Sequence, residues 1–106
     1  MGVRRVDHST EAAQAVRDAI ARGLESIGDA AEGYARALVP VDTGRLRDSI
    51  AHEVEDGTVY LSADTEYAPF VELGTRRAAA KPFLIPAMEG HRSEWLGMLS
   101  EEISKI

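Results

Sequence analysis

The opening third of the chain limits its possible folds more than any other feature. Ser9 or Thr10 can cap a helix, and Glu11 follows in the first turn, where a negative charge suits the helix dipole. From there to about Leu38 the pattern stays helical. Pro40 stops it, because proline disfavours helical backbone in the residue before it. A helix of that length reaches about 45 Å at ~1.5 Å per residue. In a chain of 106 residues it is the rod on which everything else must pack.

Two stripes run along the rod. Val16, Ile20, Leu24, Ile27, Ala31, Tyr34 and Leu38 repeat at steps of three and four, which marks an apolar face for the protein's own sheet. One residue behind them run Ala12, Ala15, Ala19, Gly23, Ser26, Ala30, Gly33 and Ala37, all small. The two stripes lie ~100° apart around the helix. The small stripe would let another backbone approach closely. Helix propensity accounts for its alanines equally well, but not for Gly23 and Gly33, each costing ~1 kcal/mol relative to alanine.

The hairpin is equally plain. Asp56-Gly57 is a signal for a type I′ turn. A two-residue turn there pairs Glu55 with Thr58, Val54 with Val59, His52 with Leu61 and Ile50 with Ala63. Ile50, His52, Val54, Val59, Leu61 and Ala63 then share one face, and Ala51, Glu53, Glu55, Tyr60 and Ser62 the other. His52 on the apolar face reads as a packed or rim residue. The acids Glu53, Glu55, Asp56, Asp64 and Glu66 read as a solvated surface.

Around the hairpin, Thr43 is suited to cap a short turn through Arg45–Asp48. Tyr67–Leu73 reads as one or two helical turns stopped by Gly74. Glu72 is the only charge in that segment, so an ion pair with Arg45 or Arg47 is expected. Residues 74–81 carry Arg76, Arg77 and Lys81 with no bulky apolar group, which reads as an exposed loop, mobile until a partner binds. Pro82–Pro86 reads as an extended segment, a third strand at the sheet edge. From about Pro86 a last helix runs towards Lys105, with Met88, Trp95, Leu96, Leu99, Ile103 and Ile106 on its apolar face. The sum is a single α+β domain over residues 1–106: a long N-terminal helix and a C-terminal helix packed on a small antiparallel sheet built on the 49–64 hairpin.

Composition narrows the function. Eighteen acidic against 12 basic residues give a formal charge of −6, the wrong sign for a protein that grips phosphate backbones. No cysteine is present, which removes disulfides, thiolate catalysis and cysteine metal ligands. No apolar run approaches the ~20 residues of a membrane span, and the start has charges but no apolar signal-peptide core. Phosphate-binding, nucleophile-elbow and zinc-protease motifs are missing. His8, His52 and His91 have no ligand spacing, and capping and solvation account for Asp42, Asp48 and His52 more simply than a cation does. No catalytic, cofactor or metal residues are assigned, and the chain is not expected to be an enzyme.

Three segments carry a resemblance: Val41-Asp42-Thr43-Gly44-Arg45-Leu46-Arg47 with Ser49-Ile50, Tyr67-Ala68-Pro69-Phe70-Val71-Glu72-Leu73-Gly74-Thr75, and Pro82-Phe83-Leu84 with Pro86-Ala87. In this order, between a long and a shorter helix, they closely resemble the tail-completion (neck, head–tail joining) proteins of long-tailed bacteriophages and prophages. The chain departs from that pattern at Ile85, where arginine is frequent, and at Leu73, where an aromatic is frequent. The resemblance implies a structural virion protein, made in the host cytoplasm and residing in the neck or tail. It would form a homo-oligomeric ring, six-fold favoured over twelve-fold, that joins head to tail. Neighbouring head-closure and tail-tube proteins would be its partners, with double-stranded DNA passing through the lumen without sequence recognition. The small stripe (Ala19, Gly23, Ser26, Ala30, Gly33) is the expected subunit interface, so leucine at Gly23 or Ala30 should weaken the ring and leave the protomer folded. Arg76, Arg77 and Lys81 are the expected contacts to a partner or DNA. The rival reading is a small phage-encoded regulator or toxin-like enzyme, which would need a concave site with converging polar groups.

Overall fold

The computed structural model describes residues 9–40 and 44–106. The elements are α1 (Ser9–Leu38), α2 (Arg45–Asp48), β1 (Ile50–Glu55), β2 (Thr58–Ala63), α3 (Ala68–Leu73), α4 (Leu84–Glu89) and α5 (Arg92–Ser104). This is the expected α+β architecture: a long N-terminal helix, a two-stranded antiparallel hairpin and C-terminal helices. The amide of Val39 donates to the Ala35 carbonyl at 2.9 Å, and α1 ends before Pro40. The cap expected from Thr43 lies outside the described residues, as does Asp42.

The hairpin has the expected register in all six pairs, from Ile50 with Ala63 to Glu55 with Thr58. Asp56 and Gly57 have φ of 49° and 74°, the left-handed pair that a type I′ turn requires. Inner residues of both strands are buried or half-buried, and outer ones are exposed. The chain thus spends its apolar positions on the side that meets α1.

The core forms two linked clusters. One gathers Ala35, Val39, Leu46, Ile50, Ala68, Phe83 and Ala87. The other centres on Ile27, Ala31 and Trp95 against Leu24, Val59, Met88 and Leu99. Tyr34 and Leu61 touch both. The buried row on α1 therefore runs Ala19, Gly23, Ile27, Ala31 and Ala35, four residues apart, and draws on both stripes. Val16 and Leu38, at the ends of the bulky stripe, are 39% and 49% exposed.

The small stripe does admit a second backbone, but it is that of α5 in the same chain. A Cβ at Gly23 would lie 2.8 Å from Leu99 Cδ2 and 3.4 Å from Leu99 Cα. Leucine at position 23 is thus expected to destabilise the protomer itself, by about 1–3 kcal/mol as overpacking does. Urea unfolding checks this, and an unchanged midpoint would refute it.

Two further expectations are corrected. Among the described residues the sheet has two strands, and the segment read as a third strand leads into α4. The C-terminal helix is divided. At Gly90 an added Cβ would lie 2.6 Å from the Pro86 carbonyl oxygen, and the chain turns there before α5 begins.

His52 fastens the hairpin to α1. Its Nδ1 lies 2.8 Å from Glu32 Oε1 and its Nε2 2.9 Å from Glu25 Oε2. Both ring nitrogens face carboxylates, and only the imidazolium form can donate to both. Gly28 makes this possible, because a Cβ there would fall 2.1 Å from the ring. The hydrogen bond to Glu25 is the largest influence on the His52 pKa, and with Glu32 it raises the value against the opposing effect of burial. A raised folded pKa gives stability that is full below the unfolded value of about 6.5 and is lost as pH rises through the folded one. The melting-temperature advantage of the wild type over His52→Gln is therefore expected to be largest below the unfolded value of about 6.5 and to shrink as pH rises above it. A difference that grows with pH would contradict this assignment.

Candidate assembly surface

The second and third motifs of the sequence build one corner of the molecule. In α3, Ala68 is buried and Val71 half-buried, which turns Phe70 and Leu73 outward at 59% and 72% exposure. Six residues of helix bury one side only, so a short segment with apolar residues on several sides must leave some of them in solvent.

Glu72 organises the corner, though not by the expected ion pair. Its carboxylate accepts from the amides of Phe83 (3.2 Å), Leu84 (2.8 Å) and Ile85 (3.3 Å). These are the unpaired donors at the start of α4. A half-buried acid thus finds its partners in backbone N–H groups. Arg45 pairs with Glu66 instead, at 3.0 Å, with both side chains largely in solvent. Arg47 is exposed.

The loop over residues 74–81 is exposed as expected, but it has its own scaffold. Gly74 has φ 79°, and a Cβ there would lie 2.7 Å from the Ala80 nitrogen. The Thr75 amide donates to the Ala78 carbonyl at 2.8 Å, and the Thr75 hydroxyl accepts from the amides of Arg77 (3.2 Å) and Ala78 (3.0 Å). The Lys81 amide returns the loop to α3 by donating to the Val71 carbonyl at 2.8 Å. Arg76, Arg77 and Lys81 project from this frame into solvent. Beside it, Leu73, Ala80, Pro82, Ile85 and Pro86 line a shallow apolar groove, with Ile85 51% exposed. The corner therefore joins three cations to a ridge of exposed apolar side chains.

The remaining candidate residues lie elsewhere. Ala19 and Gly23 are buried within the protomer, and Ala30 packs in the Trp95 cluster. Ser26 is exposed and its hydroxyl donates to the Arg22 carbonyl at 3.2 Å, while Gly33 faces open space. The five do not form one continuous free surface. On the opposite side of the hairpin from α1, Glu53 and Glu55 project outward and Asp56 caps its tip, all exposed. Oxygens of Asp29 and Glu32 and a nitrogen of His52 lie within 4.8 Å of one another and could hold a cation, which would first have to displace the His52 proton. No described helix is long and apolar enough to cross a membrane.

Comparison with known proteins places a family model on the first two thirds of the chain. The family model, described as "Bacteriophage HK97-gp10, putative tail-component", fits residues 7–74, a span that includes α1 through α3 and the glycine after α3. The third motif, at Pro82–Ala87, lies beyond that match. No curated protein and no solved structure matches the chain.

Proposed function

Since the chain belongs to the HK97-gp10-like family of phage tail components, we propose that it is the structural piece that completes the tail or neck and joins it to the head. Copies of the chain form a ring around the DNA channel, with six-fold symmetry favoured because the tail tube it meets would be six-fold. A closed ring uses two different surfaces of each protomer. DNA passes through the lumen without being read, and the net charge of −6 keeps it from adhering. The observation that carries this reading is the corner just described. Phe70 and Leu73 are more than half exposed beside three cations that have no ion pair among the described residues, an arrangement that suits contact with another protein better than catalysis.

The test is complementation of a phage that lacks this gene. Without the protein, heads and tails should accumulate unjoined in negative-stain images, and the wild-type chain should restore infectious yield. The Arg76→Glu/Arg77→Glu chain should fold normally yet restore little of it. Normal particles in the absence of the protein would overturn the reading.

A further inference from the structure

The cationic loop and the acidic hairpin tip lie at separate places along α1 within one molecule. The loop packs beside Pro40, at the C-terminal end of α1. The hairpin runs back along α1: Arg36 Nη2 donates to the Ile50 carbonyl at 2.9 Å, and His52 sits against Gly28. Glu55 and Asp56 lie further along the same direction. At ~1.5 Å per helical residue and ~3.3 Å per strand residue, the two patches are more than about 20 Å apart. That exceeds the ~8–10 Å over which charges are felt in physiological salt. The side chains of Arg76, Arg77 and Lys81, and of Glu53, Glu55 and Asp56, are exposed, and none has an ion pair among the described residues.

We infer that these patches are the two halves of one interface: the corner of Arg76, Arg77 and Lys81, with Phe70 and Leu73, docks on the Glu53–Glu55–Asp56 end of the hairpin in a second copy of the chain. The inference rests on the ring proposed above and names its contact surfaces. Opposite charge on two separated patches of one chain cannot be satisfied within it, but is satisfied head to tail between copies. Such a heterologous contact closes into a ring or continues into a filament. The apolar ridge beside the loop favours a protein over DNA: a phosphate backbone offers nothing for Phe70 and Leu73 to bury against, whereas Tyr60, 53% exposed and paired with Glu53 on the outer face of the hairpin, does. The charges set orientation and encounter rate, and the ridge supplies the area removed from water.

Two reversed chains test this by sedimentation velocity at low salt. The first carries Arg76→Glu/Arg77→Glu and the second Glu53→Arg/Glu55→Arg. All four positions are exposed, so both chains should fold, and circular dichroism checks this. Each alone should stay monomeric, because like charges would meet. Mixed, each loop faces a hairpin of opposite sign, and the weight-average mass should rise about twofold or more as alternating assemblies form. Added salt should weaken that rise. A mixture that stays monomeric overturns the inference, as does either reversed chain associating like the wild type. Normal assembly by the loop-reversed chain with a selective loss of duplex DNA binding would also overturn it and assign the loop to DNA. Complementation keeps the two proposals apart. If the chain restores infectious particles but the mixture stays monomeric, this interface falls and the neck reading stands.

Discussion

Replacing Phe83 with alanine is expected to remove about 3–5 kcal/mol of stability. Phe83 is 0% exposed and is the largest fully buried side chain among the described residues. It stands where α3, α4 and the first motif converge, in one cluster with Leu46, Ile50, Ala68 and Ala87. Its removal leaves a cavity that short helices on either side cannot refill without moving, and α3 and α4 have six residues each. Against the ~5–15 kcal/mol of a typical domain, that loss is large. The chain's other phenylalanine is the control. Phe70 is 59% exposed, and Phe70→Ala is expected to change stability by no more than about 0.5 kcal/mol while weakening assembly. Urea unfolding of the two variants at constant slope decides the matter. Equal losses would mean that the burial of Phe83 has been misassigned.

Glu72→Ala is expected to cost about 2–3 kcal/mol, because hydrogen bonds to a charged acceptor are worth about 1.5–3 kcal/mol and three amides lose one at once. Glu72→Gln keeps an acceptor oxygen but loses the charge that favours a helix start, and should cost less. Arg45→Ala should cost much less than Glu72→Ala, since its bridge to Glu66 is exposed at both ends and screened by water. The three variants separate two accounts of the same acid. If Glu72 serves the backbone, its loss is severe and that of Arg45 slight. A cost at Arg45 equal to that at Glu72 would restore the ion pair read from the sequence.

The partner that Glu72 finds shows what a sequence can and cannot carry. A lone acid in an apolar segment does need a partner, and this much was legible. Which partner it finds depends on where the chain returns. Backbone amides are present at every residue but proline, so composition cannot point to them. Pro82–Pro86 was ambiguous for a related reason. Proline at both ends suits an extended edge strand and a helix start alike, and the carboxylate of Glu72, eleven residues earlier, caps the helix.

By itself, the sequence determined the elements whose signals are local. Pro40 and the uninterrupted pattern before it set α1, and the Asp56-Gly57 turn set the hairpin and, through strict alternation, its register. Only the tertiary structure decided which helix face is inside. Small residues pack inward as readily as large ones when a partner helix comes close. The row Ala19, Gly23, Ile27, Ala31 and Ala35 is buried because α5 and the hairpin press against it. The same fold decided that Gly23 serves the protomer, that Gly28 makes room for His52, and that Phe70, Leu73, Arg76, Arg77 and Lys81 stand together on one exposed corner. Those are consequences of distance in space, and spacing along a chain does not encode them.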